Sequence, residues 1–354
     1  MNDVRDARRR GGFISPHDIP AESVDIGAEK RGRTLAVVIP CFNEEAKIGA
    51  TVRAVPSYVD RIFVVDDCST DGSANVVLSI AETDPRIVQL SHSKNSGVGA
   101  AIATGYMRCI EEGIDIVVVM AGDGQMDPED LPAVVTPLLR GEADYVKGNR
   151  FFHRAGTSHI PRHRLFGNLV LSILTKIVSG YWHVSDTQCG YTAINRRALR
   201  LVDWRSVYPR YGCPNDFLTR LNVANMRVAE VPVHGLYGAD WSSKMKVRKV
   251  VVPILRLLGR LFLYRMFYKY VFLNGHPIVI FYATAALFGL LTTILMAYVM
   301  IKFVVTGVIP QASLIMFGFS LLSTMQLLLG AFNLDYQANQ SISVVLADKY
   351  FEED

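Results

Sequence analysis

The chain has 354 residues, half of them hydrophobic, with a mean hydropathy of +0.22, a length that suits about two structural units. Its formal net charge of +4 is mild and gives no reason to expect a nucleic-acid partner. The five cysteines (Cys41, Cys68, Cys109, Cys189, Cys213) form no CxxC pair and the eight histidines show no ligand spacing; reduced cytosolic thiols are expected.

Residues 1–33 are polar, with Gly and Pro, and are expected to be a flexible tail. Arg8–Arg10 is followed by no apolar run, so no secretory signal is expected, although the arginines suit a weak membrane-surface role. Leu35–Ile39 (LAVVI) predicts a buried strand stopped by Pro40, Glu44–Val55 a helix, and Arg61–Val65 a second strand ending in DDCSTDG. Ser73–Thr83 predicts a helix, Ile87–Leu90 a short strand, and Lys94–Tyr106 opens a third helix. Ile114–Met120 (IDIVVVM) is a further strand and leads into AGDGQMDPED. Strands that are apolar throughout and alternate with helices predict an α/β fold, a mostly parallel sheet with helices on both faces. Loops at the carboxyl ends of such strands are the usual ligand site.

Beyond Pro253 the character changes. Trp241–Leu334 contains no Asp or Glu, while Arg256, Arg260, Arg265 and Lys269 recur near helical period, which predicts basic amphipathic helices over 244–276 that lie in a membrane interface. Pro277–Ile301 and Ala312–Phe332 are uncharged and long enough to span a bilayer; their buried-core alternative lacks a polar face to solvate. The basic segment puts the preceding domain, 34–243, on the cytoplasmic side. Two spans within 277–333 return the tail, 334–354, to the same side.

Three strand ends carry the chemistry. PCFNEE offers Asn43, Glu44 and Glu45, which could equally be acidic residues favouring a helix N-terminus. DDCSTDG offers Asp66, Asp67 and Asp71, more carboxylates than an Asx turn needs, and a nucleobase or ribose would explain the surplus. NSGVGAAIATG has neither the GxGxxG nor the P-loop spacing, so Gly97 and Gly99 serve either a phosphate or a close backbone approach. Asp123, Gln125 and Asp127 put oxygen ligands in one loop, as a hard divalent cation requires.

Taken together and in this order, these blocks resemble the family 2 glycosyltransferases, and more closely their polyprenyl-phosphate sugar transferases (dolichol-phosphate mannosyltransferase-like and undecaprenyl-phosphate glycosyltransferases). VVIPCFNEE is similar to the family's I-P-x-(Y/F)-N-E-E, and VVDDCSTDG to its D-D-x-S-x-D-G. SDTQCGYTAINRRAL is similar to its D-x-x-x-G-(F/Y) block before R-R, and WSSKMKVRK to its S-K segment ahead of the membrane helices. The resemblance implies a GT-A-like (Rossmann-like) nucleotide-sugar fold and a membrane-bound, inverting hexosyltransferase. Its donor would be a UDP- or GDP-sugar, its acceptor a dolichyl or undecaprenyl phosphate, and its cofactor Mg²⁺ or Mn²⁺. It implies Pro40, Asn43, Glu44, Asp66, Asp67 and Gly97 on the nucleotide sugar, and Asp123 and Gln125 at the metal. Arg150, Arg164, Ser243 and Lys244 would meet the acceptor phosphate, with Asp186 in the acceptor-side pocket. Asp216 is the candidate for a sugar contact or weak base, beside Asp123 and Arg150 in the catalytic set.

One position departs from the pattern. The family writes its metal loop D-x-D-x-Q, and here the first Asp is Ala121, leaving Asp123 as the main anionic ligand. Two other readings are a processive polysaccharide synthase, which would carry Q-x-x-R-W and more spans, and a non-catalytic membrane-tethered nucleotide-sugar scaffold. Paired short spans are also compatible with a homo-oligomer.

Overall fold

The computed structural model describes residues 26–152, 162–235 and 247–346. Ser243 and Lys244, and the side chain of Arg164, lie outside the described residues. The chain divides into one unit that runs to Leu261 and resumes at Ile342, and a second spanning Phe262–Ser341.

The first unit is built on one sheet in the order β3-β2-β1-β4-β6-β5-β7-β8. Its strands are β1 (Leu35–Cys41), β2 (Arg61–Asp66), β3 (Ile87–Ser91), β4 (Ile116–Val119), β5 (Tyr145–Asn149), β6 (Thr192–Asn195), β7 (Val228–Pro232) and β8 (Ser343–Val344). Side chains alternate across a strand, so β1 divides its residues between two cores. Val37 and Ile39 join one layer with Ile62, Val64 and Val118. Ala36 and Val38 join the other with Phe63, Val65 and Val117. Helices cover both layers, which is why the strands read as continuous apolar runs.

The sheet is mostly parallel, and β6 is the exception, antiparallel to both β4 and β5. Two reversals restore the direction, so β1, β2, β4, β5 and β7 all point the same way. Their carboxyl ends, and the chain entering β6, therefore share one edge.

Two boundaries differ from expectation for local reasons. The segment just before β1 holds a short helix α1 (Ile26–Glu29) that buries Ile26, and Lys30 Nζ pairs with Asp60 at 2.6 Å. The helix expected from Lys94 begins only at Val98, because Gly97 holds φ +99°, a conformation open to glycine. The C-terminal segment returns to the sheet, where Val228 pairs with Ser343 and Ala229 with Val344 in parallel register.

In the second unit, the end of a helix running Val247–Arg265 passes into a π-helical stretch, Met266–Leu273. Two helices follow, Ile278–Thr306 and Gln311–Asn339, both long and apolar enough to cross a membrane. Large apolar side chains such as Ile280, Leu287, Val304, Ile315 and Leu322 are exposed along them. They pack on each other through Thr292 Oγ1 and Ser320 Oγ, 2.9 Å apart. At their base Arg265 and Asp335, both fully buried, pair at 2.7 Å, and Tyr270 Oη donates to the same carboxylate at 2.7 Å.

Candidate active site

The β1 and β2 loops are fastened to one another. Asn43, at φ +54°, accepts the Thr70 N–H on Oδ1 at 2.8 Å and donates its own N–H to Ser69 Oγ at 3.0 Å. Glu44 N–H donates to Ser73 Oγ at 2.9 Å, and Glu45 Oε2 accepts the Gly72 N–H at 2.9 Å. Asp66 accepts the Ser69 N–H at 3.2 Å. Pro40 does not stop β1, which runs on through it to Cys41 in register with Asp66, and its carbonyl accepts the Gly122 N–H at 3.3 Å, which ties this wall to the Asp123 loop.

Asp67 is buried and its carboxylate is fully engaged. It accepts the N–H groups of Ser96 (2.8 Å) and Gly97 (2.7 Å), and His92 Nδ1 lies 2.7 Å away. Asp67 thus holds the turn that starts the helix α2 (Val98–Glu111). The first N–H groups of that helix, Gly99 and Ala100, donate to Pro209 O at 2.8 and 3.1 Å. A Cβ on Gly97 would lie 2.5 Å from Pro209 O, and one on Gly99 would collide with Tyr208 O. These glycines admit a close backbone approach by the 208–209 segment.

Asp123 sits half-buried beyond β4, in a loop turned by Gly124 at φ +70°. Its Oδ1 accepts the Gln125 N–H at 3.1 Å, and among the described residues it forms no ion pair. Ala121 donates its N–H to Met126 Sδ at 3.2 Å. No cluster of three His, Cys, Asp or Glu side chains suited to a metal occurs among the described residues. The donor set fits a cation that takes one or two carboxylates and completes its shell with water and phosphate oxygens. It does not fit an all-protein cage.

Arg150 and Asp186 come together. Arg150 Nε and Nη2 donate to the two Asp186 oxygens at 2.7 and 3.0 Å, and its backbone N–H adds a third bond at 3.2 Å. Burial works to raise the Asp186 carboxyl, but the bonds and charge of Arg150 outweigh it and hold the group below the usual carboxylate range. Asp186 therefore acts on Arg150, aiming a guanidinium whose planar fork suits phosphate oxygens.

Asp216 lies in the helix α3 (Cys213–Val223) and is almost wholly buried. It accepts the Tyr208 N–H at 2.5 Å and Arg220 Nε at 2.8 Å. Burial pushes its carboxyl up against the opposing pull of Arg220. Its observed work is to fasten the 208–209 segment. Its neighbour Asn215, fully buried, accepts bonds from Thr175 Oγ1 and Gln188 Nε2, both at 2.9 Å, while its Nδ2 finds no partner among the described residues. A buried donor in that state is one that a bound molecule can satisfy.

A second pair went unread in the sequence. Asp130 accepts the His234 N–H at 2.5 Å and lies 2.7 Å from His234 Nδ1. Burial pushes the Asp130 carboxyl up despite those bonds. His234 follows β7 at the same edge, and the adjoining Gly235 bridges to Met126 of the Asp123 loop. A carboxylate on Nδ1 fixes an imidazole's orientation; a histidine two residues past a strand end was the available signal.

Comparison with known proteins agrees with this geometry. Residues 36–202 match the glycosyl transferase family 2 sequence family. The UDP-N-acetylglucosamine–dolichyl-phosphate N-acetylglucosaminyltransferase of Methanococcus voltae is 28% identical, over 58% of this chain and 86% of its own length. The polyprenol monophosphomannose synthase of Mycolicibacterium smegmatis is 30% identical, over 57% of this chain and 76% of its own. In fold, the chain is similar to glucosyl-3-phosphoglycerate synthase from Mycobacterium tuberculosis, solved with Mn²⁺, UDP and phosphoglyceric acid. That likeness has a TM-score of 0.53 at 22% identity, covering 68% of this chain and 81% of that one. The sheet is of the GT-A kind, and the chain belongs to the family 2 glycosyltransferases, in their polyprenyl-phosphate group.

Proposed function

We propose that the protein moves a hexose from a UDP- or GDP-sugar to the phosphate of a membrane polyprenol, with inversion at the anomeric carbon. The observation that carries this reading is the shared sheet edge. The Asp123 loop and the Asp186-held Arg150 leave the same side of one sheet, in a chain that also carries two membrane-length apolar helices.

The acceptor needs little activation, since a phosphate monoester has its second pKa near about 6 and is largely dianionic at neutral pH. The protein's task is to position that nucleophile and to neutralise charge as the diphosphate departs. Pro40, Asn43, Glu44, Asp66, Asp67 and Gly97 shape the nucleotide side. Arg150, with Arg164, Ser243 and Lys244, holds the acceptor phosphate, and Asp186 orients Arg150. Asp216 keeps the 208–209 segment closed on the helix start at Gly97. A divalent cation, Mg²⁺ or Mn²⁺, held by Asp123 with Gln125 beside it, would stabilise the leaving diphosphate.

The two helices Ile278–Thr306 and Gln311–Asn339 are read as a membrane hairpin with both flanks on the cytoplasmic side, where nucleotide sugars are. Two features support this. β8, after the hairpin, pairs with β7, before it, and an odd number of crossings between the two strands would not allow that. The exposed Arg256 and Arg260 precede the first span, in line with the positive-inside tendency, whereas Arg265 and Lys269, expected at the interface, are buried against Asp335 and Asn339. The test is a scan of labelled UDP- and GDP-hexoses with polyprenyl phosphate, with and without EDTA. One donor should label the lipid only in the presence of the cation; no labelled lipid from any donor would overturn the proposal.

A further inference from the structure

The turn 185–189, which carries Asp186, is pinned from beneath by a buried lysine and a half-buried glutamate that the transfer chemistry does not itself use. They are cross-strand partners: Lys147 of β5 stands opposite Glu230 of β7. Glu230 Oε1 accepts the N–H groups of both Ser185 (2.9 Å) and Asp186 (2.8 Å). Lys147, about 1% exposed, donates from Nζ to the carbonyl of Cys189 at the other end of the same turn. Glu230 also takes a bond from the Asn149 side chain. Asn149 Oδ1 in turn accepts the Phe151 N–H at 2.7 Å, so Glu230 reaches both chain segments that meet at the Arg150–Asp186 pair.

Stability alone does not account for such an arrangement. Desolvating the Lys147 ammonium and part of the Glu230 carboxylate is unfavourable before any attraction is recovered, and an apolar pair on neighbouring strands would pack at least as well. With Arg150 and Asp186 the group holds two positive and two negative side chains, so their formal charges balance when all four are ionised. What the ions give that apolar groups cannot is a fixed position for three backbone groups of one turn.

We infer that Lys147 and Glu230 are positioning residues, a clamp on the 185–189 turn that sets the angle at which Asp186 presents Arg150 to the acceptor phosphate. The inference rests on the reading of Arg150 given under the proposed function. It names a specific consequence: the clamp governs use of the phosphate acceptor and leaves the nucleotide side, on β1, β2 and β4, untouched.

The experiment is a double-mutant cycle with steady-state kinetics in the full-length, detergent-solubilised protein, varying polyprenyl phosphate and nucleotide sugar separately. Glu230→Gln keeps the side chain's shape and one acceptor oxygen but removes its charge. It is expected to lower kcat/KM for polyprenyl phosphate about tenfold, leave KM for the nucleotide sugar within twofold, and keep a wild-type thermal midpoint. Lys147→Met should give the same split. In an Arg150→Ala background, where acceptor use is already impaired, Glu230→Gln should add less than twofold, because coupled residues are not additive. Equal losses for both substrates, or a full tenfold loss in the Arg150→Ala background, would overturn the clamp while leaving Arg150's role intact. If Arg150→Ala itself leaves acceptor kinetics unchanged, the reading of Arg150 fails and the clamp with it. Should Lys147→Met not fold, Glu230→Gln alone decides.

Discussion

Asp67→Asn separates two roles that the sequence left open for this carboxylate. As a contact to base or ribose, Asp67 would matter to the donor alone. As the structure has it, both oxygens are engaged: Oδ1 with Ser96 N–H and His92 Nδ1, Oδ2 with Gly97 N–H. Asparagine keeps one acceptor oxygen and turns an NH₂ toward a donor that had been satisfied. A hydrogen bond to a charged group contributes about 1.5–3 kcal/mol, and a buried donor left unsatisfied costs a further ~1–3 kcal/mol. A total of about 3 kcal/mol, at roughly 2–4 °C per kcal/mol for a domain of this size, lowers the thermal midpoint by about 6–12 °C. The assay is a thermal melt of the purified protein beside a nucleotide-binding titration. Asp67→Asn should melt early, and nucleotide affinity should fall as the 92–97 turn loosens. An unchanged midpoint with weakened nucleotide binding would refute the reasoning, since it would mean the carboxylate serves the ligand and not the turn.

Four further outcomes are expected. Gly99→Ala should destabilise the protein by about 1–3 kcal/mol, the usual cost of overpacking, because its methyl group would meet Tyr208 O; a wild-type melt would mean the 208–209 segment is not seated there. Asp123→Ala should lower metal-dependent transfer by about 100-fold or more with little change in melting, and undiminished transfer would place the cation elsewhere. Asp144 is held below the usual carboxylate range, its burial outweighed by the bonds and charge of Arg227 and the amide of Asn195, and Asp186 is held low by Arg150. Both are depressed acids, so their stabilisation is complete above the unfolded carboxyl value of about 4 and is lost as pH falls through the lower folded values. Melts between pH 6 and pH 2 should therefore steepen below about pH 4, and Asp144→Asn should flatten that slope; an unaltered slope would mean the pairing with Arg227 is not maintained in solution.

The first half of the sheet was legible because its strands are uninterrupted apolar runs that end in acidic loops. β1 to β4 fall within a residue or two of the expected positions. The second half was not read, and its residues show why. β5 carries the buried Lys147 and Asn149 and β7 the half-buried Glu230, so polar letters occupy strand positions and the apolar signal fails. β8 is two residues long and follows both apolar helices, where no local pattern marks a strand. At the site, the residue types could be read but their pairings could not. Arg150 and Asp186 are both acceptor-side candidates in the sequence, yet that one orients the other is a tertiary fact. Asp216, which looks like a base in YGCPNDF, proves to be engaged by Tyr208 and Arg220. Ala121 is the one visible departure from the metal loop, and its N–H on Met126 Sδ puts a sulfur contact at that point of the loop.

The central claim is that a lipid phosphate is the nucleophile, and the most direct measurement compares polyprenyl phosphate with the same polyprenol lacking the phosphate. Each is given to the full-length protein with the donor sugar and Mg²⁺. The account predicts label in the phosphate lipid alone, with Arg150→Ala impairing that transfer, because on this account the acceptor is held through its phosphate oxygens by Arg150. Comparable labelling of the bare polyprenol would contradict it.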